Sequence, residues 1–345
     1  MTGSSKVVIG VPLYNGARYL TESLESLLSQ THGDFALVLN DDCSTDATPE
    51  IVQRYASIDG RITYRRNPAR LGMVQNWRKT FELALELFPG AQYFAWGSDH
   101  DVWHPRWLTA LLAELERFPE LVLAYPLNTR VSATGELLRG PWMFDTFGIK
   151  AAAVRLVRSC WAMSAGNMVY GLFRTPALRQ AGVFRPVLNP DRLLLAEASL
   201  NGQFKQIPEI LWHRRFTELA NRKRQRAALF PAGAPVYSYL PWWLTHAAVL
   251  GWNFGLRRTR RSLSGGALGL LYALAYLVVS LAVVVRTSLL AKYARRTAQA
   301  LRLVVHQLRV RFGRQRMRRC LSQLRPPARD TSAHGQQIES ASLPE

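Results

Sequence analysis

Asp99 and Asp101 stand two positions apart in Gly97-Ser98-Asp99-His100-Asp101-Val102-Trp103-His104-Pro105, directly after an apolar run at 93–96. In extended backbone, residues i and i+2 project to one side, so this spacing presents two carboxylates to a single point. Two such anions repel unless one is protonated or a cation lies between them. A hard divalent cation held by one or two carboxylates, and completed by water and phosphate oxygens, is the make-up of Mg²⁺ and Mn²⁺ sites. A second acidic run, Asn40-Asp41-Asp42-Cys43-Ser44-Thr45-Asp46, ends the apolar stretch at 36–39. Its bland reading is that Ser44, Asp46 and Thr48 cap the helix that Pro49 opens. A cap needs one oxygen, and the run supplies more, which leaves Asp42 for a ligand role.

These acids have to be positioned by the elements before them. The apolar runs at 7–11 and 36–39 flank a helix whose Leu20, Leu24, Leu27 and Leu28 fall on one face. Strand, helix and strand make a βαβ unit, and in open α/β sheets ligands bind beyond the carboxyl ends of the strands. Both the acidic run and Pro12-Leu13-Tyr14-Asn15-Gly16 lie there. Further elements follow in order: a strand at 61–64, a turn-rich loop from Asn67 to Gly72, a helix at 76–88, the strand at 93–96, a helix from Pro105, and a strand at 121–125. Residues 126–165 read as irregular, with Trp142, Phe144 and Phe147 as an aromatic loop. A strand is expected from Asn167 to Arg174, a helix at 176–181, a helical run after Asp191 that puts Glu197 on a solvated face, and a proline-containing strand at 202–216.

The order P-x-Y-N, D-D-x-S-x-D, D-x-D with a following W-x-P, and an acidic acceptor-side motif resembles the family 2 glycosyltransferases with the GT-A fold. The resemblance covers about residues 5–216. It implies a Rossmann-like mixed α/β sheet with helices on both faces, followed here by a helical, membrane-associating C-terminal extension. It also implies a nucleotide-diphosphate sugar as donor, with Pro12, Tyr14, Asn15, Asp42, Arg70 and Asp99 as contacts. Arg214 and Arg215, beside His213, are set to stabilise the leaving diphosphate. The metal, Mg²⁺ or Mn²⁺, is assigned to Asp101 with Asp99 in support; His100 stands where many relatives carry Asp and remains an alternative ligand. Asp191 is the candidate general base of an inverting displacement, since an ionised carboxylate can take the proton of an attacking hydroxyl. Pro190 replaces the usual Glu before it, and an N-cap is the competing role for Asp191.

Charge divides the chain. The formal net charge is +20, yet residues 1–220 hold 23 Lys and Arg against 21 Asp and Glu, while 221–345 hold 21 against 3. The basicity therefore belongs to the tail. Cys43, Cys160 and Cys320 form no ligand spacing or disulfide framework, and a reducing cytosol is the natural compartment. The residues before the first strand are too few for a secretion signal. From Gly265 to Val285 no residue is charged, a length of about 32 Å as a helix, enough to cross a bilayer. The earlier uncharged stretch 236–256 carries Trp242, Trp243 and Trp252, suited to the interface.

Three regions are thus expected: a catalytic domain at 5–220, a basic, apolar helical region at 221–300, and a basic, partly disordered tail at 301–345. A hairpin of the two apolar stretches, or helices lying in the interface, keeps both ends at the cytoplasmic face of the membrane. The acceptor expected is a hydroxyl of a glycan or lipid-linked glycan, near an anionic membrane surface. Transfer to a polyprenyl phosphate carrier and non-catalytic sugar-nucleotide binding are the alternatives. Nucleic-acid binding is disfavoured, because the tail's aromatics cluster in apolar stretches and do not alternate with its basic residues.

Overall fold

The structure, a computed structural model, describes residues 5–131, 137–139, 143–163, 165–215, 222–257 and 267–289. Among these, nine strands form one sheet: β1 (Val7–Leu13), β2 (Ala36–Asp41), β3 (Ile62–Arg66), β4 (Tyr93–Trp96), β5 (Val102–Trp103), β6 (Leu121–Val131), β7 (Leu137–Arg139), β8 (Leu172–Arg174) and β9 (Gln203–Arg215). Their order is β3-β2-β1-β4-β8-β6-β9-β5, with β7 paired to β6. The first four positions are parallel; β8 runs antiparallel to both β4 and β6, and β5 antiparallel to β9. β1 is buried at every position, as a parallel strand covered on both faces must be. At Gly10 an added Cβ would lie 2.7 Å from the Phe94 ring and 2.8 Å from Thr80, so helix and strand close on it from two sides.

Helices α1 (Ala17–Leu28), α2 (Thr48–Ile58), α3 (Met73–Leu87) and α4 (Trp107–Arg117) follow the sequence reading. Leu20, Leu24 and Leu27 of α1 are fully buried, as their spacing demands. Residues 126–165 depart from the irregular reading. β6 continues to Val131, pairing in parallel with β9, and α5 spans Ala152–Ala162. The buried face of α5 is Arg155, Leu156, Ser159 and Cys160, a mixture that hides the apolar period. Arg155 belongs there because its guanidinium donates to the carbonyls of Ile149, Lys150, Ser199 and Leu200, three of them within 3.1 Å. The strand expected from Asn167 begins only at Leu172; the residues before it form the short helix α6 (Ala165–Met168) and a turn at Gly171. A Cβ at Gly171 would meet the Ala124 carbonyl at 2.4 Å.

The rest is α7 (Thr175–Ala181), α8 (Pro190–Asn201), α9 (Arg222–Leu229), α10 (Trp242–Leu250), a π-helical extension Gly251–Arg257, and α11 (Ala267–Leu289). Glu197 of α8 is buried and not solvated: it accepts from Arg185 at 2.9 Å and from Asn253 at 3.1 Å. Leu250, Phe254 and Tyr276 form one apolar cluster with Leu156, Cys160, Val187, Leu193 and Ala196. The chain's first compact unit accordingly runs through Val284, so the segment after residue 221 shares it with the core. α11 is long and apolar enough to cross a membrane; only 17% of its most apolar window is buried, and Leu270, Leu271, Leu274 and Val278 are exposed. The tail expected at 301–345, together with Trp142 and Cys320, lies outside the described residues.

His246 joins α10 to the core. Its Nε2–H donates to the Leu188 carbonyl at 2.7 Å, and its Nδ1 accepts from the Tyr276 hydroxyl at 2.6 Å. Burial lowers the imidazole pKa to about 3, outweighing the Leu188 hydrogen bond, which acts in the other direction. In the unfolded chain His246 titrates near its ordinary 6.5, so its contribution to stability is complete above that pH and declines as the pH falls toward 3. Denaturation midpoints measured at pH 7 and pH 5 should fall further for the wild-type protein than for His246→Gln. Equal falls would remove His246 as the titrating contact.

Candidate donor and acceptor site

The carboxyl ends of β1 and β2 are knitted together by the residues that follow them. Pro12, in register with Asn40, is buried inside β1. Asn15, at φ 50°, takes the left-handed conformation that Asn tolerates. Its N–H donates to Ser44 Oγ at 2.9 Å, and its Oδ1 accepts the Thr45 N–H at 2.8 Å. The first N–H groups of α1 are capped from across the loop: Gly16 donates to Thr48 Oγ1 and Ala17 to Asp46 Oδ2. Asp46 Oδ1 meanwhile accepts the Thr48 N–H at 3.0 Å, so one acid caps two helices.

Asp42, buried, has a different task. Its Oδ1 accepts the Leu71 N–H at 2.7 Å and the Asn67 amide at 3.1 Å, and its Oδ2 accepts the Gly72 N–H at 2.8 Å. It therefore fixes the 67–72 loop and the start of α3. Gly72, at φ 87°, packs so closely that a Cβ would meet Pro231 at 2.4 Å. Above this floor the Arg70 guanidinium lies 4.0 Å over the exposed Tyr14 ring, a flat cation–π pair.

Asp99 and Asp101 are not in extended backbone; a bend separates them. His100 lies between, with Nδ1 at 2.6 Å from Asp99 Oδ1 and Nε2 at 3.8 Å from Asp101 Oδ1. Burial would lower the His100 pKa, but the Asp99 hydrogen bond and the charges of Asp101 and Asp99 outweigh it and raise it. Burial raises the Asp101 carboxyl, against the pull of His100, the Arg215 N–H and Arg214. Asp101 Oδ1 accepts that N–H at 2.8 Å, while its buried Oδ2 has no hydrogen-bond partner among the described residues.

Among the described residues no group of three or more His, Cys, Asp and Glu side chains is arranged as a metal cage. One or two carboxylates suffice for a cation completed by water and phosphate. The orphaned, desolvated Oδ2 of Asp101 fits such an ion, with Asp99 beside it.

β9 delivers the cations. Arg215 is tied to the acidic bend: its Nη1 donates to the His100 carbonyl, its Nη2 to Glu22, and its guanidinium lies 4.3 Å over the Tyr19 ring. It buttresses the acidic bend. His213 bonds Thr129 Oγ1 at 2.8 Å. Arg214 faces inward, donating to Asn167 Oδ1 at 3.0 Å and passing so close to Gly166 that a Cβ there would stand 3.0 Å from its Nη1.

A pocket of about 190 Å³ holds Arg214 and Asp191 together, walled by Trp77, Tyr170 and Phe184. Asp191 is not the N-cap of α8; Asn189 holds that position, at φ 51°. Asp191 sits in the first turn, where burial raises its pKa against the Arg192 and Asp191 N–H groups and the charges of Arg192 and Arg214. Tyr170, raised by burial, interacts electrostatically with Asp101, Arg214, Asp99 and Asp191, so all four share one neighbourhood. The sequence reading did not find Trp77, Asn167 or Tyr170; an Asn between Gly166 and an apolar run was the available signal.

A parallel half-sheet with acids at its strand ends, extended by an antiparallel-to-parallel turn through β8, β6 and β9, defines a GT-A fold. Residues 8–156 match the model of glycosyl transferase family 2. The putative glycosyltransferase EpsE of Bacillus subtilis is 30% identical over 155 residues, 45% of this chain and 49% of that protein. The putative teichuronic acid biosynthesis glycosyltransferase TuaG, also of Bacillus subtilis, is 33% identical over 99 residues, 28% of this chain and 36% of that one. The chain thus spans about half or less of the length of these curated relatives. Among solved structures, S. aureus TarS 1–349 in complex with UDP-GlcNAc shares the fold, at a TM-score of 0.51 and 15% identity, over 80% of this chain and 90% of that one. Asp191 and Arg214 lie beyond the family match.

Asp42→Ala should leave the Leu71 and Gly72 N–H groups without their acceptor. Each hydrogen bond to a charged group is worth about 1.5–3 kcal/mol, so urea denaturation should show a loss of at least about 2 kcal/mol. A smaller loss would mean that the 67–72 loop is held by other contacts.

Proposed function

We propose that the protein is an inverting, cation-dependent glycosyltransferase that moves a sugar from a nucleoside-diphosphate sugar to a hydroxyl of a glycan or lipid-linked glycan. The observation that carries this reading is the pocket shared by Asp191 and Arg214, with Asp101 and Asp99 in its electrostatic reach. The names of EpsE and TuaG support the chemistry, and the TarS complex supports the class of donor.

Tyr14 and Arg70 offer a flat surface for the base of the donor, at the loop that Asp42 holds in place. Asp101 and Asp99 would hold a divalent cation, which would supply positive charge for a leaving diphosphate. Arg214, held by Asn167, adds a fixed cation. Asp191 takes the proton of the acceptor hydroxyl as it attacks the anomeric carbon from the opposite face, and its raised pKa makes it the stronger base for that step. Trp77, Tyr170 and Phe184 shape the space around the attacking group.

The exposed apolar face of α11 and the arginines at 257–261 and 286–296 support membrane association at the cytoplasmic face. The panel that identifies the donor is the first experiment: purified full-length protein is assayed for hydrolysis of individual nucleotide sugars with Mn²⁺ or Mg²⁺. Hydrolysis of none, together with no binding of any, would sink the reading.

Asp191→Asn should lower kcat by about a hundredfold or more, the scale of a lost positioned base, with donor affinity nearly unchanged. The ionised form is active and its pKa is raised from 3.8, so the acid limb of kcat/KM should lie above that value and disappear in the variant. An equal loss of donor affinity would point to a structural role. Asp101→Ala, or a chelator, should abolish transfer and cation-dependent donor binding, with Asp99→Ala weaker in effect. Donor affinity indifferent to chelation would remove the cation.

A further inference from the structure

A cavity of about 650 Å³ opens between Arg78 of α3, the segment at 185–187, and one face of the chain from Tyr237 to Asn253. That volume lies within the range of about 300–1,000 Å³ typical of small-molecule pockets. Its lining is apolar: Leu240, Leu244 and Ala248 recur every four residues, and Val249 and Trp252 continue the stripe. Leu244 is 39% exposed and Trp252 61%, so the chain leaves this face open. The cations at its wall are already paired, Arg78 with Glu82 and Arg185 with Glu197. The cavity therefore favours an uncharged, aliphatic occupant.

Its position selects that occupant further. Phe184, Pro190 and Asp191 line the pocket of the candidate base, while Arg185, Pro186 and Val187, between them in sequence, line the cavity. The same alternation recurs on α3, where Trp77 faces the pocket and Arg78 the cavity. The two hollows are separated by one segment of chain, held at Val183, Phe184 and Asn189 with φ of 21°, 28° and 51°. A molecule polar at one end and aliphatic at the other matches this pair. α11, with its exposed leucines, lies against Gly251 at the end of this segment and is long and apolar enough to cross a bilayer.

We infer that this cavity holds the aliphatic chain of a lipid-linked acceptor whose sugar hydroxyl lies beside Asp191. The inference rests on the glycosyltransferase reading and adds the class of acceptor. It makes the face of the 237–253 segment a specificity element: acceptors lacking the chain should bind weakly while the donor binds normally.

The test uses full-length protein and an octyl glucoside carrying a diazirine at the end of its chain, with photolabelled peptides mapped by mass spectrometry. Labels should fall in peptides containing 185–187 and 237–253 and be competed by farnesyl phosphate more strongly than by dihexanoyl phosphatidylglycerol. Ala248→Trp fills the cavity from an exposed position, and Leu244→Gln makes its wall polar without added bulk. Losing the burial of two or more methylenes corresponds to about tenfold or more in affinity, so both variants should label at least that much less, with thermal melting and donor binding unchanged. Labelling confined to α11, or unaffected in both variants, would overturn the inference in favour of a chain lying on an apolar helix. Equal competition by the phospholipid would overturn it in favour of a bilayer-lipid site. Absence of donor binding with the labelling retained would instead sink the glycosyltransferase reading and leave the cavity standing.

Discussion

A buried carboxylate must have its charge met, and the way Asp42 meets that demand sets much of the crevice. Both of its oxygens are directed at the 67–72 loop, through the N–H groups of Leu71 and Gly72 and the Asn67 amide. The loop is the approach to α3, and α3 carries Met73, Val74 and Trp77 into the pocket of Asp191. Asp42, read from the sequence as a ligand contact, is within the protein also the peg that sets one wall of the Asp191 pocket. Asn76 extends the same network, accepting from Asn40 at 2.7 Å and from Asn67 at 3.0 Å.

The opposite wall depends on β9. This one strand pairs with β6 along its length and with the two-residue β5 at its far end, which brings the Arg215 N–H to Asp101. Arg214 and Arg215 point to opposite sides of the strand, as neighbours on a strand must. One buttresses the acidic bend and the other lines the pocket of Asp191. The division of labour follows from the pleat and not from any difference between the two side chains.

The first half of the fold was legible because its strands are short, fully buried runs and its helices have leucines on one face. β1, β2, β4, α1 and α4 needed nothing else. The acids of the 40–46 run were legible as a group, since a cap needs one oxygen and the run supplies more, but their partners were not. Nothing local reveals that Asp46 caps α1 from across the sheet, or that the Arg215 N–H meets Asp101. α5 was missed for a different reason: Arg155 sits on its buried face and satisfies carbonyls near the C-terminal end of α8, a role no apolar period can signal. Glu197 was misplaced for the same reason, its burial depending on Arg185 and Asn253 from other segments. What the sequence withheld was non-local polar pairing.

Gly72 has one more consequence. It takes part in the loop held by Asp42, and the space where its side chain would stand is filled by Pro231, in the segment that leads to α10. The floor beneath Tyr14 and Arg70 and the approach to the apolar helix α10 are therefore in van der Waals contact, with no room for slack. A ligand that displaced residues 71–72 would therefore have to displace Pro231 as well, and by thermodynamic linkage whatever shifts the 231–241 segment would alter affinity at the 67–72 loop by the same factor. Occupancy of one surface becomes information available at the other, carried by a contact between a glycine and a proline.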